Sequence, residues 1–186
     1  MEQKQQKWHG ALSLARKDYD SLNYEGTPGV KRLVTNVAPV QIFSEDYPKH
    51  QWPISGGWGY SIEDAMVIEV DDSDDGVALE YKILEYRSYE EGIIFRPKGQ
   101  RLAGFRFKSK IQFLVEGEDG RHYDHVVMEV TAFREEDFEF LKSDWESHNC
   151  YEDDPEGELK HFEMAETKKV RYEVEGYFDI TRFYGK

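Results

Sequence analysis

The sequence predicts a β-rich α+β fold: an antiparallel sheet, curved or barrel-like, with one amphipathic acidic helix packed against it. Three observations predict it. Ala103, Phe105, Phe107, Ile111, Phe113 and Val115 alternate with Arg106, Lys108, Lys110 and Gln112, the period-two pattern of a half-buried strand. A second alternating run, Val170, Tyr172, Val174, Phe178 and Ile180, occupies the C-terminal region. The best helical stripe is Phe138, Leu141 and Trp145, at i, i+3 and i+7. Strands thus outnumber helices and neighbour one another along the chain, which favours an antiparallel arrangement.

Taken in order, residues 1–10 are polar, lack the apolar stretch of a signal peptide, and are expected to form a disordered tail. Residues 11–186 are expected to make a single globular domain, long enough to bury about two-thirds of its unfolded surface. Leu12–Leu22 suits helix or strand. Short strands are expected at Arg32–Val37 and Val40–Phe43, separated by Pro39, and at Met66–Val70. Val77, Leu79, Tyr81 and Ile83 suggest a strand running to Arg87, with Glu85 and Arg87 placing charge on its apolar face. Ser88-x-x-Glu91 has capping-box spacing for a helical turn.

The turn Gly117-Glu118-Asp119-Gly120 joins the 103–115 strand to a return strand carrying Val126, Met128, Val130 and Ala132 on one face. Their apolar faces are expected to be buried together. The helix is expected at about Glu135–His148, opened by Glu135, Glu136 and Asp137 where the helix dipole favours negative charge. Gly176 interrupts the last strand, as a bulge or a close backbone approach would require.

Charge is concentrated. Glu135–Glu158 holds eleven acids and one lysine, −10 of the chain's −14, while the other residues nearly balance at 27 acids and 23 bases. Such a face repels nucleic acid and anionic lipid and attracts cations or basic proteins. No apolar run is long enough to span a membrane. The lone Cys150 cannot form an internal disulfide, which fits a cytoplasmic location.

Motifs for chemistry are sparse. Asp71, Ser73, Asp75 and Gly76 match four positions of a calcium loop, but Lys82 stands where the bidentate glutamate belongs, so a solvated turn is expected. His122, His125, His148 and His161, with Cys150, are the candidate zinc ligands. Odd spacing sends His122 and His125 to opposite faces of a strand, and no metal or other cofactor is expected. Acid surrounding Cys150 suppresses its thiolate. Nucleophile-elbow, dinucleotide-binding and phosphate-loop motifs are missing from the sequence. Arg96, Lys98, Arg101, Arg106, Lys108 and Lys110 form a basic stretch, read as complementing the acidic helix or guarding an edge strand, not as a nucleic-acid site.

Two functions from different classes remain. In the first, a basic protein partner docks on Glu135, Glu136, Glu139, Asp144, Glu146, Glu152, Asp153 and Asp154. One concrete form is an inhibitor or immunity-type protein covering a cationic enzyme. In the second, a barrel-like domain binds a small ligand, or acts as an enzyme, in a pocket lined by Trp52, Trp58, Tyr60, Tyr81, Glu85 and Arg87. The glycine-rich aromatic stretch from Trp52 to Tyr60 motivates the second.

Overall fold

A computed structural model describes residues 23–25, 32–34, 37–94, 96 and 101–185. Its centre is an open five-stranded mixed sheet in the order β3 (Ile54–Gly56), β4 (Met66–Ile68), β7 (Lys169–Asp179), β6 (His122–Arg134) and β5 (Leu102–Glu116). The expected all-antiparallel, barrel-like sheet is therefore corrected: β4 and β7 run parallel, and β3 and β5 are two separate edges. A two-stranded ribbon, β1 (Asn23–Glu25) with β2 (Arg32–Val34), stands apart from it. The Arg32–Val37 expectation holds over its first three residues. The 1–10 tail, Leu12–Leu22 and Lys98 lie outside the described residues.

Among the described residues, four helices accompany the sheet where one was expected. Helix α1 (Pro39–Asp46) replaces the expected strand at Val40–Phe43. Pro39 separates nothing; it sits in the first turn, where the missing N–H has no intrahelical bond to lose. Helix α2 (Ser73–Tyr89) replaces the expected strand at Val77–Arg87. Its buried residues, Gly76, Leu79, Glu80, Ile83, Leu84, Arg87 and Ser88, recur at helical spacing. The supposed turn Asp71–Gly76 is its start, with the Asp72 carboxylate accepting from the backbone N–H groups of Asp74 and Asp75. Ser88 caps no turn: its hydroxyl is buried inside α2 and donates to Leu84 O at 2.7 Å. A π-helical segment, Glu90–Ile94, continues α2.

Helices α1 and α2 cover one face of the sheet. There Phe43, Ile83 and Leu84 meet Met66, Val126, Val130 and Phe178, all essentially inaccessible to solvent. Gly176 makes this approach possible: a Cβ would lie 2.8 Å from Leu84, and the β6–β7 pairing runs past it without a register shift. Close approach, not a bulge, explains that glycine.

The β5–β6 hairpin pairs antiparallel as expected, from Leu102↔Arg134 to Glu116↔His122. Its apolar alternation does not survive intact, because register shifts fall between Ala103 and Arg106 and between Ser109 and Ile111. Gly104 provides the positive φ (65°) of the first. Past the second, Ile111 and Phe113 turn to the opposite face, where they are 41% and 48% exposed. That opposite face also carries a helical hairpin, α3 (Glu135–Ser147) and α4 (Pro155–Lys168), at the Phe133 end of β6. No helix among the described residues is long and apolar enough to cross a membrane.

Candidate interaction surface on the helical hairpin

The α3–α4 hairpin is closed by a short, sharply bent link. Asn149, Cys150 and Tyr151 all adopt left-handed backbone conformations, with φ of 49°, 57° and 56°. Asparagine tolerates this; for cysteine and tyrosine it costs roughly 1 to 2 kcal/mol each. The turn is held by what it achieves. Tyr151 folds back to stack on His148 (ring centroids 4.8 Å) and its hydroxyl donates to Asp144 Oδ2 at 2.9 Å.

Asp144 is the stitch of the hairpin. It receives His161 Nδ1 of α4 at 2.7 Å, and its other oxygen lies 3.6 Å from His148 Nδ1. The His161 and then the Tyr151 hydrogen bonds hold the Asp144 carboxyl below its ordinary range. A carboxylate only accepts, so Nδ1 of the buried His161 carries the proton. Asp154, though exposed, is committed to its own helix, its carboxylate accepting from Gly157 N at 2.9 Å as the cap of α4.

The other acids face solvent. Glu136, Glu139, Glu146, Glu152 and Asp153 are exposed, and Glu135 is half-buried. Glu146 has Lys142 at 3.9 Å, and Asn149 Nδ2 donates to Glu152. Beside the acids stand Phe140, Leu159 and Phe162, each more than half exposed. An apolar groove of about 470 Å³ opens between the hairpin and the sheet, lined by Phe133, Phe138, Leu141, Trp145 and Phe162, with Arg106 and Lys169 at its rim. A more polar, open cavity of about 530 Å³ lies over Asp144, His148, Tyr151, Lys160 and His161.

Trp145, half-buried, joins the two, with His161 at 5.0 Å and Tyr151 and Phe162 at 5.6 Å. Trp145→Ala is expected to cost about 1 to 2 kcal/mol, less than a core tryptophan, because the groove is already partly open to water. Chemical denaturation of both proteins checks this.

The residues expected to line the second pocket divide. Trp52 and Trp58 are core side chains, 7% and 5% exposed. Trp52 packs on Phe43 and Tyr86 (5.0 and 5.1 Å). The Trp58 indole donates to Val37 O at 3.2 Å, and its backbone N–H donates to Asp64 at 3.1 Å. Arg87, 2% exposed, joins this loop from α2. Its Nη1 donates to Trp58 O at 2.6 Å and its Nη2 to Glu175 O. The guanidinium lies over the Tyr60 ring at 4.5 Å, and Nε is 3.4 Å from Glu91 Oε1, which also accepts from the Tyr60 hydroxyl at 2.5 Å. Tyr81 points elsewhere, bonding Ser109 and Gln112 at 3.1 Å. Glu85 makes no contact with this group, and partial burial raises its pKa.

Sequence reasoning missed two buried acid clusters. Glu80, inaccessible to solvent, and Asp124 both accept from Gln112 Nε2, at 3.3 and 2.5 Å. Burial and then the Asp124 charge push Glu80 up to about 9. Asp46, Tyr47 and the fully buried Glu90 form the second. Burial raises Asp46 to about 6 and lifts Glu90 well above its ordinary range, with the Asp46 charge adding to the effect. The one available signal was the helical spacing of Glu80 with Leu79, Ile83 and Leu84.

The histidines scatter into three settings. His122 stacks on Tyr184 and His125 on Tyr177, while only His148 and His161 meet, through Asp144. Among the described residues, no three His, Cys, Asp or Glu side chains are grouped so as to hold a metal. Cys150 is exposed and makes no hydrogen bond with either neighbouring histidine, so a thiol relay has no geometry here. Of the basic stretch, Arg96 is buried and donates to Glu91 O at 2.6 Å, Arg101 donates to Arg96 O, and Lys110 pairs with Glu173. Arg106 and Lys108 are exposed.

Comparison with protein-family models, curated proteins and solved structures finds no match.

Proposed function

We propose that this chain is a protein-binding module that docks a basic protein on its α3–α4 hairpin. The observation that carries the reading is the coincidence, on one hairpin, of exposed carboxylates with exposed Phe140, Leu159 and Phe162 beside an apolar groove. Charge alone would describe a solvated surface. Apolar anchors within an acidic rim have the anatomy of an interface, the anchors supplying affinity and the rim supplying encounter rate and selectivity. Its natural counterpart is a cationic cleft, which makes an inhibitor of a basic enzyme the concrete form of the proposal. The lone exposed Cys150 suits a cytoplasmic setting.

The test is a low-salt affinity capture from the host, followed by kinetics with the purified retained protein. Asp144 must be left alone, because it holds the hairpin together. Reversing Glu136, Glu139 and Glu146 to lysine should change stability by no more than about 0.5 kcal/mol per site. Association should slow and lose most of its dependence on salt. Unchanged kinetics would reduce the hairpin to a solvated surface.

A further inference from the structure

The outer edge of β5 has no partner strand among the described residues, and its two halves differ. The first half is guarded as edge strands usually are, by exposed Arg106, Lys108 and Lys110 and by register shifts that break the hydrogen-bonding repeat. Past the second shift, Ile111–Glu116 pairs without interruption against Val127–His122. This regular stretch exposes Ile111 (41%), Phe113 (48%) and Leu114 (52%), on both faces of the sheet. Nothing guards it but its ends, Lys110 on one side and Glu116 on the other.

We propose that this edge pairs with the same edge of a second copy of the chain. The pairing is antiparallel, with the two-fold axis at Phe113, and forms one continuous sheet across two protomers. The stretch is complementary to itself in that register. Phe113 faces Phe113 of the other copy, Ile111 faces Val115, and Gln112 faces Leu114, while Lys110, in the register shift, keeps its ion pair with Glu173 of its own chain. Residues directly opposite in an antiparallel pair share a face. The exposed phenylalanines therefore meet on the side where Phe113 already stacks on His125 (5.7 Å) and His125 on Tyr177 (4.2 Å). The rings then run as one ladder from Tyr177 of one copy to Tyr177 of the other.

Charge permits the approach despite the net −14. The acidic hairpin lies at the opposite end of these strands, beyond Phe133, and the edge itself carries one lysine for one glutamate. The arrangement is also closed. The contact is isologous, so each copy uses its β5 edge once, and the other edge, β3, is only three residues long.

Sedimentation equilibrium of the full chain between about 1 and 100 µM, the range of weak to moderate self-association, should show a monomer–dimer equilibrium. Phe113→Glu sets two carboxylates face to face and should raise the dimer dissociation constant about tenfold or more. Its thermal unfolding as a monomer should be little changed, because the ring is half exposed. Phe113→Leu, which keeps an apolar side chain at the two-fold axis, should retain the dimer. Amides of 111–115 should exchange more slowly in the dimer. A chain that stays monomeric throughout overturns the proposal and leaves the edge to another protein's strand. A dimer indifferent to Phe113→Glu overturns it equally.

Discussion

Alanine at position 87 is expected to cost about 3 to 5 kcal/mol, the largest loss from any single polar side chain in this fold. Arg87 is a nearly inaccessible cation whose donors tie three parts of the molecule together: Glu91 of the π-helical segment, the Trp58 carbonyl of the aromatic loop, and the Glu175 carbonyl of β7. Its removal takes a cation from beside the Glu91 carboxylate, 3% exposed, and one donor from each of two carbonyls. Desolvation penalties of this kind exceed the worth of the pair itself. Chemical denaturation should show the loss in the midpoint. Arg87→Met, which keeps much of the volume, should recover little of it, whereas the double change Arg87→Met with Glu91→Gln should recover a substantial part. Equal losses for Arg87→Ala and Arg87→Met/Glu91→Gln would assign the effect to the lost hydrogen bonds with the Trp58 and Glu175 carbonyls rather than to the buried charge.

The second large effect depends on pH. Glu80 titrates near 4.5 when unfolded and at about 9 when folded, because burial and the Asp124 carboxylate oppose its ionisation. The folded chain therefore holds a proton that the unfolded chain releases. Stability from this group is complete below about pH 4.5 and falls as the pH rises towards 9. By neutral pH the decline should amount to roughly 2 to 4 kcal/mol. Glu80→Gln imitates the uncharged acid and keeps an oxygen to accept from Gln112, so it should match the native protein at acid pH and exceed it above neutrality. Thermal unfolding across the pH range, native against variant, checks this. Asp46 and Glu90, also raised, add to the same slope, so the variant flattens it without abolishing it.

What could be read from the sequence follows from how purely each element carries its period. The β5–β6 hairpin, β7 and α3 were legible because Val126, Met128, Val130, Val174 and the stripe through Leu141 are apolar where they are buried. Helix α2 was not, because three of its inward positions hold Glu80, Arg87 and Ser88, while Val77 and Tyr81, half exposed, supplied a false alternation. Tertiary partners, invisible in one dimension, make those polar residues core. The exposure of Ile111 and Phe113 escaped for a related reason: a register shift leaves no mark in the pattern on either side of it. Of the acidic surface, the side chains facing solvent could be anticipated from composition. The internal duty of Asp144 could not, since it depends on His161, across the link between the helices.

The place of β7 in the sheet also governs how the chain comes to be folded during synthesis. Lys169–Asp179, made after every other strand of this sheet, lies between β4 and β6, pairing Met66 with Phe178 and Phe133 with Lys169. Until that segment leaves the ribosome, β6 and β4 each present an unpaired inner edge, and the faces of α1 and α2 have only part of their floor. The β5–β6 hairpin can form early, from local contacts, but the sheet cannot be joined through its middle until β7 has been made. The nascent chain therefore passes through a stage with two open strands and exposed core, the condition under which chains mispair or engage chaperones.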